Sequence, residues 1–99
     1  MAALELSPED LVVEVGPGLG ALTVFLAQAA GRVVALEVDP LLAVYLREEL
    51  FQGDSRVEVL CQDVLRFDFL QLAQESQTSL VVAGNLPAER QEFIAGKHS

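Results

Sequence analysis

Ninety-nine residues are enough for one domain and too few for two. With 52% hydrophobic and 21% charged residues, the composition excludes a disordered chain. A formal net charge of −9, with six Lys and Arg of which no two are adjacent, argues against a free-standing basic nucleic-acid module and against docking on an anionic membrane.

The single cysteine, Cys61, leaves no internal disulfide and suits a reducing, cytoplasmic setting. The first residues, Met1 to Ser7, have no basic region and no long apolar core, so they do not read as a signal peptide. No apolar run approaches the ~18 residues of a membrane span.

Ser7-Pro8-Glu9-Asp10 is a turn cluster, and Leu11-Val12-Val13-Glu14-Val15 after it predicts a strand. Gly16-Pro17-Gly18-Leu19-Gly20 ends that strand. Residues 21–30 predict a helix, with Leu22, Phe25, Leu26 and Ala29 at helical spacing and Gly31 as its stop. Arg32 to Val38 predicts the second strand. Asp39-Pro40 reads as an N-cap with proline at the first helical position, opening a helix to about Phe51 with Leu41, Val44, Tyr45 and Leu46 inward. A third strand is predicted over Arg56–Cys61, a short helix over Asp68–Glu75, and a fourth strand over Ser79–Ala83, ending in Gly84-Asn85-Leu86-Pro87. The alternation predicts an α/β fold: about four parallel strands joined by right-handed crossovers, with helices on the flanks. Near-continuous apolar strands agree, because parallel strands are covered on both faces. From Ala88 onward there is no strand signal, so residues 1–87 form the expected domain and 88–99 a tail.

The glycine loop between the first strand and the first helix carries the chemistry. Glycines there let the backbone turn sharply and approach a ligand, and the helix N-terminus behind it favours an anionic group. A tight turn without a ligand is the plain alternative. An acid at the end of the second strand, about 20 residues beyond the first glycine, suits ribose hydroxyls. Glu37 stands there, Asp63 follows the third strand and Asn85 follows the fourth. This places them all at the carboxyl edge of one parallel sheet, where open α/β folds bind ligands. The spacing is GxGxG, unlike the GxGxxG of dinucleotide binders, and Glu14, Glu37 and Asp63 are unwelcoming to a pyrophosphate. S-adenosylmethionine, with its ammonium, sulfonium, adenosine and carboxylate, suits these groups better. A nicotinamide dinucleotide is the weaker alternative.

The run Val13-Glu14-Val15-Gly16-Pro17-Gly18-Leu19-Gly20-Ala21-Leu22-Thr23 resembles the first motif of the bacterial 16S rRNA adenine N6,N6-dimethyltransferases. Val34 to Asp39, Gln62-Asp63-Val64 and Gly84-Asn85-Leu86-Pro87 are similar to the next three motifs, in order. The resemblance implies a Rossmann-like methyltransferase core that binds S-adenosylmethionine and releases S-adenosylhomocysteine. It implies that Gly16, Pro17, Gly18 and Gly20 wrap the methionine portion with Glu14 nearby. Glu37 then holds the ribose hydroxyls, Val38 packs on the adenine, and Asp63 accepts from the adenine amine beside Val64. Asn85 and the Leu86 carbonyl, with Pro87, would hold the target adenine for in-line transfer. The implied substrate is small-subunit rRNA.

Departures from the family set further expectations. The position after Pro87, where the family carries a stacking aromatic, is Ala88. The family's N-terminal motif, later strands and basic RNA-gripping domain have no match, so the chain reads as the cofactor-binding part of a family enzyme, truncated after the Asn-Leu-Pro motif. Methyl transfer by it alone is not expected. The alternatives are a non-catalytic binding module and a ligand-free, self-associating remnant. Leu80-Val81-Val82-Ala83 is then expected at a sheet edge, inviting a homodimer unless the tail covers it.

Other residues read plainly. Asp39 caps a helix, and Arg47, Glu48 and Glu49 form a solvated face. Cys61 is read as a buried strand residue, Tyr45 as packing, and one of Phe67 and Phe69 as core filling. His98 has no Cys or second His to make a metal site.

Overall fold

The structure, a computed structural model, describes residues 5–84 and the backbone of residues 89–91. Strand β1 (Leu11–Val15) leads through the glycine loop to helix α1 (Ala21–Ala29), and β2 (Arg32–Leu36) follows. Helix α2 (Pro40–Tyr45) runs directly into a π-helical turn, Leu46–Leu50, before β3 (Val57–Leu60). A 3-10 turn, Val64–Arg66, precedes α3 (Phe69–Ser76), and β4 (Leu80–Ala83) and β5 (Glu89–Gln91) close the order.

The sheet order is β3-β2-β1-β4-β5. The first four strands are parallel, and β5 lies antiparallel on β4, with Val81 opposite Arg90. This is the expected Rossmann-like core with one addition. The tail carries no strand signal, yet residues 89–91 pair with β4. A three-residue polar strand forms by borrowing a ladder rather than by its own propensity. The β4 edge therefore meets the one condition under which no homodimer was expected through it.

The register sorts the apolar side chains into two faces. Val12, Val33 and Val81 pack with Leu26, Ala27 and Ala30 of the α1 segment. Val59 packs with Ala43, Leu46 and Phe51, and Val57 joins both groups, so α1 and α2 share this face. Leu11, Val13, Val34, Leu36 and Leu80 face the other way, under Ala73 and Leu72 of α3. Phe67 and Phe69 both pack against that second group, edge to face at 4.9 Å, so neither alone fills the core.

Several helical positions differ from the sequence reading. In α1 the buried residues are Thr23, Leu26 and Ala27, while Phe25 is 61% and Leu22 40% exposed. Thr23, on the inward side of α1, faces Glu14, a buried acid on β1, and donates its hydroxyl to it. Ala43 of α2 and Leu46 of the π turn are buried, whereas Leu41 is 81% exposed and Val44 and Tyr45 are also exposed. These exposed side chains all lie in α2, before the π turn begins at Leu46. Strand β2 stops at Leu36, short of Val38, and β3 at Leu60, so Cys61 lies beyond the strand and is exposed rather than buried. Gly31 does stop α1: its φ is 87°, and a Cβ there would lie 2.1 Å from the Pro8 carbonyl oxygen. Arg47, Glu48 and Glu49 are exposed as expected, although Arg47 also donates to the Val59 carbonyl at 3.1 Å.

Candidate functional site

Strand β1 ends at Val15 because the next five residues cannot continue a ladder. Gly16, Gly18 and Gly20 take φ values of 70°, 59° and 90°, a left-handed region that side chains with a Cβ rarely adopt. Gly20 has a second reason to be glycine. A Cβ there would meet Leu50 Cδ2 at 2.5 Å and Leu46 Cδ2 at 2.9 Å, so the start of α1 sits directly against the π turn. No side chain caps the α1 N-terminus.

The loop is tied twice to the end of β2. The Gly16 amide donates to the Leu36 carbonyl at 2.9 Å, and the Gly18 amide donates to Glu37 Oε1 at 3.0 Å. The other carboxylate oxygen, Oε2, accepts from the Asp39 amide at 3.0 Å. Glu37 is only 5% exposed, yet each oxygen keeps lone-pair capacity beyond these bonds. Two fixed amides thus aim a carboxylate at the carboxyl edge of the sheet.

The remaining predicted residues differ in their surroundings. Glu14 is buried on the α1 side of β1, where the Thr23 hydroxyl donates to its Oε1. Burial pushes the Glu14 carboxyl above its ordinary range, and the Thr23 hydrogen bond partly offsets this. Asp63 is exposed and caps the 3-10 turn, accepting from the Leu65 amide at 2.9 Å. Val38 is 63% exposed, while Val64 is half-buried against the α3 side of the core. Asp39 caps α2 through the Leu41 amide at 2.9 Å. Asn85, Leu86, Pro87 and Ala88 lie outside the described residues.

Two features escaped the sequence reading. Thr23 closes the motif run quoted above, but its pairing with Glu14 is not legible there. Leu19, Leu41 and Leu65, at 71%, 81% and 89% exposure, join Val38 as apolar side chains presented from loops and helix starts that follow β1, β2 and β3. Periodicity reads such residues as core. Among the described residues no group of His, Cys, Asp and Glu could hold a metal ion, and no helix is long and apolar enough to cross a membrane.

The profile of the family described as ribosomal RNA adenine dimethylase matches residues 1–97. The chain belongs to that family. The match runs beyond Pro87 into the segment read above as a tail. Among curated relatives, the ribosomal RNA small subunit methyltransferase A of a Burkholderia species is 43% identical over 90 residues, covering 88% of this chain and 31% of its own length. The enzyme of the same name from Pelotomaculum thermopropionicum is 52% identical over 73 residues, covering 74% of this chain and 24% of its own length. The chain therefore spans about a quarter to a third of these relatives.

Solved structures agree on the architecture. The 23S rRNA methyltransferase ErmE superposes with a TM-score of 0.62 at 30% identity, covering 83% of this chain and 42% of its own. A dimethyladenosine transferase from Plasmodium falciparum gives 0.58 at 22% identity, covering 78% of this chain and 37% of its own, and shows the fold alone.

Proposed function

We propose that this chain forms the S-adenosylmethionine-binding part of a ribosomal RNA adenine dimethyltransferase. The Glu37 carboxylate carries the reading: it is buried, fixed by the Gly18 and Asp39 amides, and has acceptor capacity left for a vicinal diol. The donor set fits this cofactor, because the loop has no cation to neutralise a pyrophosphate and the acids nearby favour an ammonium and a sulfonium. When bound, S-adenosylmethionine supplies an electrophilic methyl group.

Each residue then has a task. Glu37 accepts from the ribose hydroxyls, and Val38 offers an exposed apolar surface to the adenine. Asp63 accepts from the adenine amine beside Val64. The backbone of Gly16, Pro17, Gly18 and Gly20 surrounds the methionine portion, whose carboxylate suits the uncapped N-terminus of α1. Asn85, Leu86 and Pro87 orient the amine of the target adenine. The substrate of the whole-length enzyme is small-subunit rRNA in the cytoplasm. This chain by itself binds without turnover, because Ala88 stands where a stacking aromatic belongs.

Titrating S-adenosylhomocysteine into isotope-labelled protein tests the reading. Amide shifts at Gly16, Gly18, Glu37 and Asp63 are expected. A dispersed spectrum that ignores S-adenosylhomocysteine overturns the proposal, and a response to NADH instead would favour a dinucleotide binder.

A further inference from the structure

Glu14 and Thr23 stand at the two ends of the glycine loop. Glu14 lies on β1 before it, Thr23 in the first turn of α1 after it, and the two are 2% and 0% exposed. Their side chains meet in a hydrogen bond that spans the loop. Both side chains are buried, and the cofactor reading gives the Thr23 hydroxyl no contact of its own.

We propose that Thr23 is a positioning residue: its hydroxyl, donated to the buried Glu14 carboxylate, fixes the separation of the loop's two ends and so sets the curvature that presents the Gly16–Gly20 backbone to the cofactor. The inference deepens the binding role proposed above and rests on it for its functional consequence.

Burial is the larger influence on Glu14, and the Thr23 bond is the contact that works against it. Opposite Glu14, β2 places Ala35 and β4 places Ala83. Helix α1 carries no ionisable side chain, and the π turn sends Arg47, Glu48 and Glu49 to solvent. At the same sheet edge stands Glu37, occupied by the Gly18 and Asp39 amides. Thr23 is thus the one side chain described as hydrogen-bonded to Glu14. A hydroxyl donor favours the ionised carboxyl, so the brace is strongest with Glu14 charged and loosens when it takes up a proton.

The test compares Thr23→Val, Thr23→Ser and Glu14→Gln with the unmodified chain. Carbon-detected NMR follows the Glu14 carboxyl against pH without ligand, alongside the amides of Gly16, Gly18 and Gly20. The loop amides are expected to move with the Glu14 midpoint. Thr23→Val should raise that midpoint, Thr23→Ser should restore it, and Glu14→Gln should abolish the step. S-adenosylhomocysteine should bind Thr23→Val about tenfold more weakly at neutral pH, the scale of one lost hydrogen bond to a charge. Loop amides indifferent to the Glu14 titration, or an unchanged midpoint in Thr23→Val, overturn the brace. If no form binds S-adenosylhomocysteine, the cofactor reading falls while the ligand-free titration still decides the brace.

Discussion

The Gly18 amide donates to Glu37 Oε1 at 3.0 Å, joining residues 19 positions apart at the mouth of the sheet. One bond thus couples the shape of the glycine loop to the acid that ends β2. Glu37→Ala removes both this acceptor and the one that serves the Asp39 amide. Calorimetry should show loss of S-adenosylhomocysteine binding. Stability should fall by only about 1–2 kcal/mol, since both amides lie near enough to the rim to find water. Unchanged affinity would defeat the ribose assignment.

Glu14 has the opposite effect on folding from a paired surface acid. Its folded-state titration lies above the ordinary value of 4.5, because burial disfavours the charged form. Its favourable contribution is therefore complete below 4.5 and is lost as pH rises through the raised folded value. Glu14→Gln should melt higher than the unmodified chain at pH ~7, and the gap should narrow on acidification through that window. A gap that widens instead would mean the carboxyl is not desolvated.

Two glycines separate crowding from backbone strain. Gly20→Ala must push its methyl against Leu50 and Leu46 at a φ of 90°. Gly53→Ala, with a φ of 77°, meets nothing within 4 Å. Denaturant melts should show a loss of about 1 kcal/mol for Gly53→Ala and about 2–3 kcal/mol for Gly20→Ala. Equal losses would mean that the π turn yields freely.

Both sheet edges are guarded. At β3, Arg47 donates to the Val59 carbonyl at 3.1 Å, and at the other side β5 covers β4. Arg47→Ala and a chain ending at Ala88 should both self-associate faster by light scattering, the truncated form more so because it frees the apolar Leu80–Ala83 ladder. A monomeric truncated form at high concentration would show that β5 protects nothing.

The parallel order was readable because each strand is a short apolar, β-branched run ending in a polar or glycine break. Leu11–Val15, Arg32–Leu36 and Leu80–Ala83 all show this. The inward positions of α1 were not readable from spacing alone, since one of them is Thr23, bonded to an acid on another element. The π turn was equally hidden, because Leu46-Arg47-Glu48-Glu49-Leu50 fits an ordinary helical pattern. Strand β5 owes its form to a neighbour's unpaired backbone. Glu37 was legible from its strand-end position and its spacing from the glycine loop, whereas the amides that hold it come from the folded loop.

Cys61 leaves β3 exposed, with its Sγ 3.8 Å from the Val38 carbonyl oxygen. Because the chain has no second thiol, a maleimide dye attaches at one known place without any engineering. The molecule thus comes with its own reporter beside the surface assigned to adenine. Slower labelling in the presence of a ligand becomes a gel-scale readout of occupancy, suited to screening nucleoside analogues before any spectrum is recorded.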